Sequence, residues 1–114
     1  MQITIEALEA YLKQRYGGWG TEQAMFMKLV EEIGEVAEVL NKKSGRKFSK
    51  ETDLQAQLGT ELADMIHYIV AIAALNDMDL ERIILAKDKA ASMKYHHDIN
   101  LTQFLENRTK ESAC

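Results

Sequence analysis

Not one of the chain's 114 residues is proline, and only six are glycine. Proline removes a backbone donor and clashes with the preceding helical turn, and glycine costs a helix interior about 1 kcal/mol relative to alanine. With both scarce, long uninterrupted helices are permitted, and the apolar spacing supplies them. Thr4 is placed to cap a first helix to about Tyr16, with Ile5, Leu8 and Leu12 on one stripe. Gly17, Gly18 and Gly20 break the pattern around Trp19. Thr21 then caps a helix from Glu22 to about Lys43, in which Phe26, Leu29, Val30, Ile33, Val36, Ala37 and Leu40 are expected to face inward. Ser44–Ser49, polar and containing Gly45, reads as a loop. Ser49 or Thr52 starts a third helix to about Asn76, and Asp79 caps a fourth. Asn100 with Gln103 resembles a capping box for a short last helix. The expectation is an all-α fold in a single domain over residues 1–114, with about 109–114 frayed.

Charge and cysteine content narrow the class. The formal net charge is −4 without a run of lysines or arginines, so no basic face for duplex nucleic acid is expected. Cys114, the only cysteine, has no partner for an internal disulfide and suits a reducing compartment. Glutamates within the first ten residues do not read as a secretory signal. The apolar string Met65–Leu75, interrupted by His67, is too short to cross a bilayer. These features predict a cytoplasmic protein without a membrane partner. From Leu62 to Leu75 the third helix is apolar almost all round, and self-association is the simplest way to cover it.

Two acidic clusters carry the chemistry. Glu32 and Glu35 are an i,i+3 pair on the second helix, as are Glu61 and Asp64 on the third, so each pair shares one helical face. In an antiparallel hairpin centred at position 48, Glu35 comes level with Glu61 and Glu32 with Asp64. Two like charges about 4 Å apart repel by about 4 kcal/mol at an effective dielectric of about 20. Protonation relieves that repulsion, and so does a hard divalent cation held by carboxylate oxygens, Mg²⁺ or Mn²⁺. Such glutamate pairs are also common on solvated helix faces. Here Glu32 and Glu35 flank the apolar stripe of Leu29, Ile33 and Val36, and Glu61 and Asp64 open the most apolar stretch of the chain, which favours the site reading.

The string Lys28-Leu-Val-Glu-Glu-Ile-Gly-Glu-Val-Ala-Glu38, followed by Glu61-Leu-Ala-Asp64, resembles the E-E-x-x-E … E-x-x-D signature of the MazG-like all-α nucleoside triphosphate pyrophosphohydrolases. The segment Trp19-Gly-Thr-Glu-Gln23 resembles that family's entry to its first metal-binding helix. The resemblance covers about residues 1–95. It implies Mg²⁺-dependent hydrolysis of a nucleoside or deoxynucleoside triphosphate to the monophosphate and pyrophosphate, in a homodimer or homotetramer built on a four-helix core. It makes Glu32, Glu35, Glu61 and Asp64 the metal ligands. Glu35 or Glu38 would orient the attacking water, and Glu31 and Glu38 are further candidates for a second metal or for supporting contacts.

Other contacts stay open. Trp19 would stack on a nucleobase or cap the bundle. Tyr68 shares a face with Asp64 and would meet sugar or phosphate, or serve as a core ring. Lys28 would reach a phosphate or pair with Glu31 or Glu32. Lys87 and Lys94 match a K-x-x-x-N-x-x-[KR] pattern of relatives as phosphate partners, but Ala91 stands where that pattern has asparagine. His96, His97 and Asp98 make a poor chelate, because adjacent helical residues diverge. A di-iron bundle would need Glu-x-x-His, which does not occur. A non-catalytic helical oligomerisation or regulatory module with a vestigial acidic site is the alternative function.

Overall fold

Short polar side chains set where the helices begin. The computed structural model describes residues 1–45 and 53–113, and among these it contains five helices and no strand. Thr4 Oγ1 accepts from the Ala7 amide and opens α1 (Ile5–Tyr16). Thr21 does the same through Ala24 for α2 (Glu22–Lys43), as does Asp79 through Arg82 for α4 (Leu80–Lys94). Each cap satisfies a first-turn amide that has no partner within its own helix. α3 (Leu54–Leu75) is opened by Asp53, whose carboxylate accepts from Ala56. Ser49 and Thr52, the expected caps, lie outside the described residues, as do positions 46–49 of the expected loop. Asn100 and Gln103 form the reciprocal capping box at 2.8 and 2.9 Å, and α5 (Leu101–Ala113) continues well beyond the short helix expected there.

The chain divides into two compact units, Met1–Met78 and Asp79–Cys114. In the first, α3 packs against both α1 and α2. Its core is Leu12 and Tyr16 of α1, Met25 and Val39 of α2, and Val70, Ala71, Ala73 and Ala74 of α3. Alanines at three of the four α3 positions let neighbouring helices come close. At one end Asn76 Nδ2 donates to Glu22 at 2.7 Å, and at the other Lys43 Nζ donates to Gln55. The start of α2 therefore lies beside the end of α3, and the two run in opposite directions. Both contacts are centred on position 49, one residue from the value that levels the acids. In the second unit, Asp88 of α4 accepts from the Leu101 amide at 2.6 Å and ties α5 to α4.

The expected inward stripe of α2 is corrected in part. Met25 and Val39 are buried and Leu29 and Val36 half-buried, whereas Phe26, Val30, Ile33 and Leu40 are 44–54% exposed and Ala37 is exposed as well. Positions 25, 29, 32, 36 and 39 form the stripe against α3, and 26, 30, 33, 37 and 40 form the next stripe, about 100° around. On α3, Leu62, Ile66 and Ile69 are likewise 43–55% exposed. Each stripe is offset by one position from the face its helix turns to the other, so in an antiparallel pair both look out on the same side.

The membrane reading also needs correcting. α3, at 22 residues, is long and apolar enough by length and composition to pass for a membrane span. The apolar string alone understated this, because the helix begins eleven residues earlier, at Leu54. It carries Glu61 and Asp64 along its length and packs against two helices.

Candidate metal centre

Glu32 sits in the α2 stripe that faces α3, among Met25, Leu29, Val36 and Val39, because the 3.6-residue repeat carries it there. The same repeat turns Glu61, Asp64 and Tyr68 of α3 to one face. One carboxylate oxygen each from Glu32, Glu61 and Asp64 lies within 4.8 Å of the others, and all three residues are half-buried. Oxygens at that spacing suit a hard cation whose oxygen distances run from about 2.0 to 2.6 Å, with small rotamer adjustments to close around it.

The three carboxylates crowd one another. Oε2 of Glu32 and Oε2 of Glu61 are buried without a hydrogen-bond partner. Two carboxylates cannot satisfy each other, since neither has a proton to donate. A proton between them turns the contact into a hydrogen bond, and the neighbouring Glu32 carboxyl is the main cause that holds Glu61 above its ordinary pKa, with burial and Asp64 adding to it. Glu35 is exposed and outside the 4.8 Å group, yet it borders it. Its pKa is raised chiefly by a carboxyl–carboxyl hydrogen bond with Glu61 and by that group's charge. A proton or a divalent cation relieves the same crowding, so the donor set fits Mg²⁺ or Mn²⁺.

The remaining candidates fall in several places. Glu31 and Glu38 are exposed and ion-paired along their own helix, Glu31 with Lys28 at 3.5 Å and Glu38 with Lys42 at 3.8 Å. Tyr68 is half-buried, and burial, with the Tyr16 hydroxyl and the Asp64 carboxylate, pushes its phenol up. Trp19 is 70% exposed in the turn after α1 and packs edge-on against Tyr16 at 5.3 Å. Lys87 and Lys94 are exposed on α4 in the second unit, with Lys94 Nζ 5.3 Å from the Tyr95 ring centre. His96 and His97 follow the end of α4 and do not lie on a helix; His97 Nδ1 lies 3.4 Å from Ser92 Oγ, and His96 has a left-handed backbone at φ 58°.

Sequence reasoning missed Tyr16. It read as the last residue of a helix, but its hydroxyl lies 2.8 Å from His67 Nε2 across 51 positions. Nothing in local spacing signals a contact that long in sequence.

The chain's likeness to known proteins runs through this cluster. Residues 20–96 match the family model of the MazG nucleotide pyrophosphohydrolase domain, a span that includes all four acids and begins after α1 and Trp19. The uncharacterized protein YpjD of Bacillus subtilis (strain 168) is 31% identical over 74 residues, 65% of this chain and 67% of that protein.

Proposed function

Because the chain belongs to the MazG nucleotide pyrophosphohydrolase domain family, we propose that it hydrolyses a nucleoside or deoxynucleoside triphosphate between the α and β phosphorus atoms, with Mg²⁺ or Mn²⁺ held by Glu32, Glu35, Glu61 and Asp64. The observation that carries this reading is the pair of buried, unpartnered carboxylate oxygens on Glu32 and Glu61. Burying polar atoms without partners costs free energy that a bound cation returns. When bound, the cation supplies positive charge against the triphosphate and makes water easier to deprotonate.

The chain's own groups do the rest. Water oxygen bonds to the α phosphorus, the bond from that phosphorus to the bridging oxygen breaks, and pyrophosphate leaves with the electron pair. Glu35, beside Glu61 at the exposed edge of the acid group, is placed to orient the water and take its proton. Glu38 and Glu31, already ion-paired, support that face. Lys28 and the Tyr68 hydroxyl offer donors beside the acids, and Trp19 offers an exposed ring for a base.

The exposed apolar face of α2 and α3 supports a homodimer or homotetramer, in which two copies of the helix pair would complete a four-helix core. With that face covered and two acids on α3, the helix reads as the inner element of a soluble, cytoplasmic assembly rather than a membrane span.

The purified protein with each triphosphate and Mg²⁺, its products separated by ion exchange, is expected to yield pyrophosphate and monophosphate. Orthophosphate as the sole inorganic product would overturn the α–β assignment. No turnover across the panel, with cation binding intact, would favour the non-catalytic module.

A further inference from the structure

Four rings follow one another through the first unit. Trp19 meets Tyr16 with centroids 5.3 Å apart, Tyr16 meets His67 at 5.7 Å, and His67 meets Tyr68 at 5.1 Å, each edge to face. The outer end is exposed at Trp19, and the inner end, Tyr68, feels the charges of Asp64 and Glu32. The turn after α1 fixes the outer end to Tyr16. The indole Nε1 donates to the Arg15 carbonyl at 2.9 Å and the Gly20 amide donates to the Tyr16 carbonyl at 2.7 Å. A side chain at Gly20 would bring its Cβ to 2.9 Å from Tyr16 Cβ, so only glycine allows this close approach. Tyr16 is 7% exposed and reaches α3 through the hydrogen bond to His67. The placement of Trp19 thus depends on Tyr16, and that of Tyr16 on His67. Trp19 and Tyr16 precede residue 20, where the family match starts.

We propose that Tyr16 and His67 act as one hydrogen-bonded positioning couple, which sets the Trp19 and Tyr68 rings as the wall that receives the nucleoside of a substrate whose phosphates meet the acid cluster. The proposal rests on the nucleotide reading above. Aromatic faces accept any base by stacking, so what a wall contributes depends on the angle at which its rings are held. A hydrogen bond between the two middle rings sets that angle where edge packing alone allows rocking.

Trp19 is the chain's single tryptophan, so its emission reports on the wall directly. The α,β-methylene analogues of the common triphosphates are titrated, with Mg²⁺, into the wild type, Tyr16→Phe, His67→Leu, the double variant and His67→Gln. The wild type is expected to show saturable quenching. Tyr16→Phe and His67→Leu each weaken the affinity about fivefold, the size of one net hydrogen bond, and the double variant weakens it no further. His67→Gln, which keeps a polar atom near Nε2, recovers most of the loss. The Mg²⁺-induced rise in melting temperature stays unchanged throughout, which a general loss of structure would not allow. Single variants that bind as tightly as the wild type, or losses that multiply in the double variant, would overturn the couple. So would a wild type whose emission ignores every analogue. Coupled losses in a protein that hydrolyses no triphosphate would retain the couple and refute the hydrolase, whereas turnover with uncoupled variants would do the reverse.

Discussion

Replacing Glu61 by glutamine separates the cost of the acid cluster from its use. Glu61 sits beside Glu32, Glu35 and Asp64, and one of its oxygens is buried without a partner. Without cation, Glu61→Gln removes a crowded negative charge and adds a donor that can reach a neighbouring carboxylate, so the melting temperature should rise. With cation the order reverses. A ligand at about 100 times its dissociation constant stabilises the folded state by about 2.7 kcal/mol. For 114 residues, an unfolding entropy of about 2.1 cal/mol/K per residue gives about 0.24 kcal/mol/K, hence a rise of about 11 °C in the wild type. If the lost ligand weakens binding about 100-fold, the same Mg²⁺ concentration gives the variant only about 0.4 kcal/mol, under about 2 °C. Calorimetry of both proteins with EDTA and with Mg²⁺ reads all four values. Equal Mg²⁺ shifts in the two proteins, or none in the wild type, would refute the reasoning.

The cluster also fixes a pH dependence. Glu35 and Glu61 both have folded pKa values above the ordinary 4.5. Below the unfolded value both states are protonated and this contribution to stability is complete; as pH rises through the folded values, the folded chain must accept crowded charges and the contribution is lost. The melting temperature of the cation-free protein should therefore be lower at about pH 7.5 than at about pH 4.5, with Mg²⁺ reducing the difference; a cation-free protein that stabilises steadily over that range contradicts this. Asp64→Asn should lower kcat at least about 1,000-fold while circular dichroism stays that of the wild type, as expected where a cation carries the charge stabilisation. Ile33→Glu together with Ile66→Lys, on the exposed face of α2 and α3, should convert an oligomer to monomers in sedimentation, and a wild type of monomer mass at all concentrations would remove the assembly proposal.

What could be read beforehand follows from how local each feature is. Thr4, Thr21 and Asp79 cap helices through amides three residues away, and Asn100 and Gln103 do so reciprocally. Such contacts need no tertiary knowledge. The shared face of Glu61 and Asp64 was legible for the same reason, since i,i+3 spacing sets it, whereas Glu35, three residues after Glu32, lies exposed beside the group. Which α2 stripe meets α3 was not. Met25, Leu29, Val36 and Val39 form one apolar row and Phe26, Val30, Ile33 and Leu40 its neighbour, and periodicity cannot rank two adjacent apolar rows. The row that holds Glu32 is the one turned inward, and the other is left exposed. Tyr16 with His67 was out of reach because 51 positions separate the partners.

A crystal soaked in Mn²⁺ and measured for anomalous scattering tests the central claim most directly. The account predicts a peak bounded by the carboxylates of Glu32, Glu61 and Asp64, which lie within 4.8 Å of one another. A map with Mn²⁺ bound elsewhere on the chain and no peak among those three side chains would contradict it.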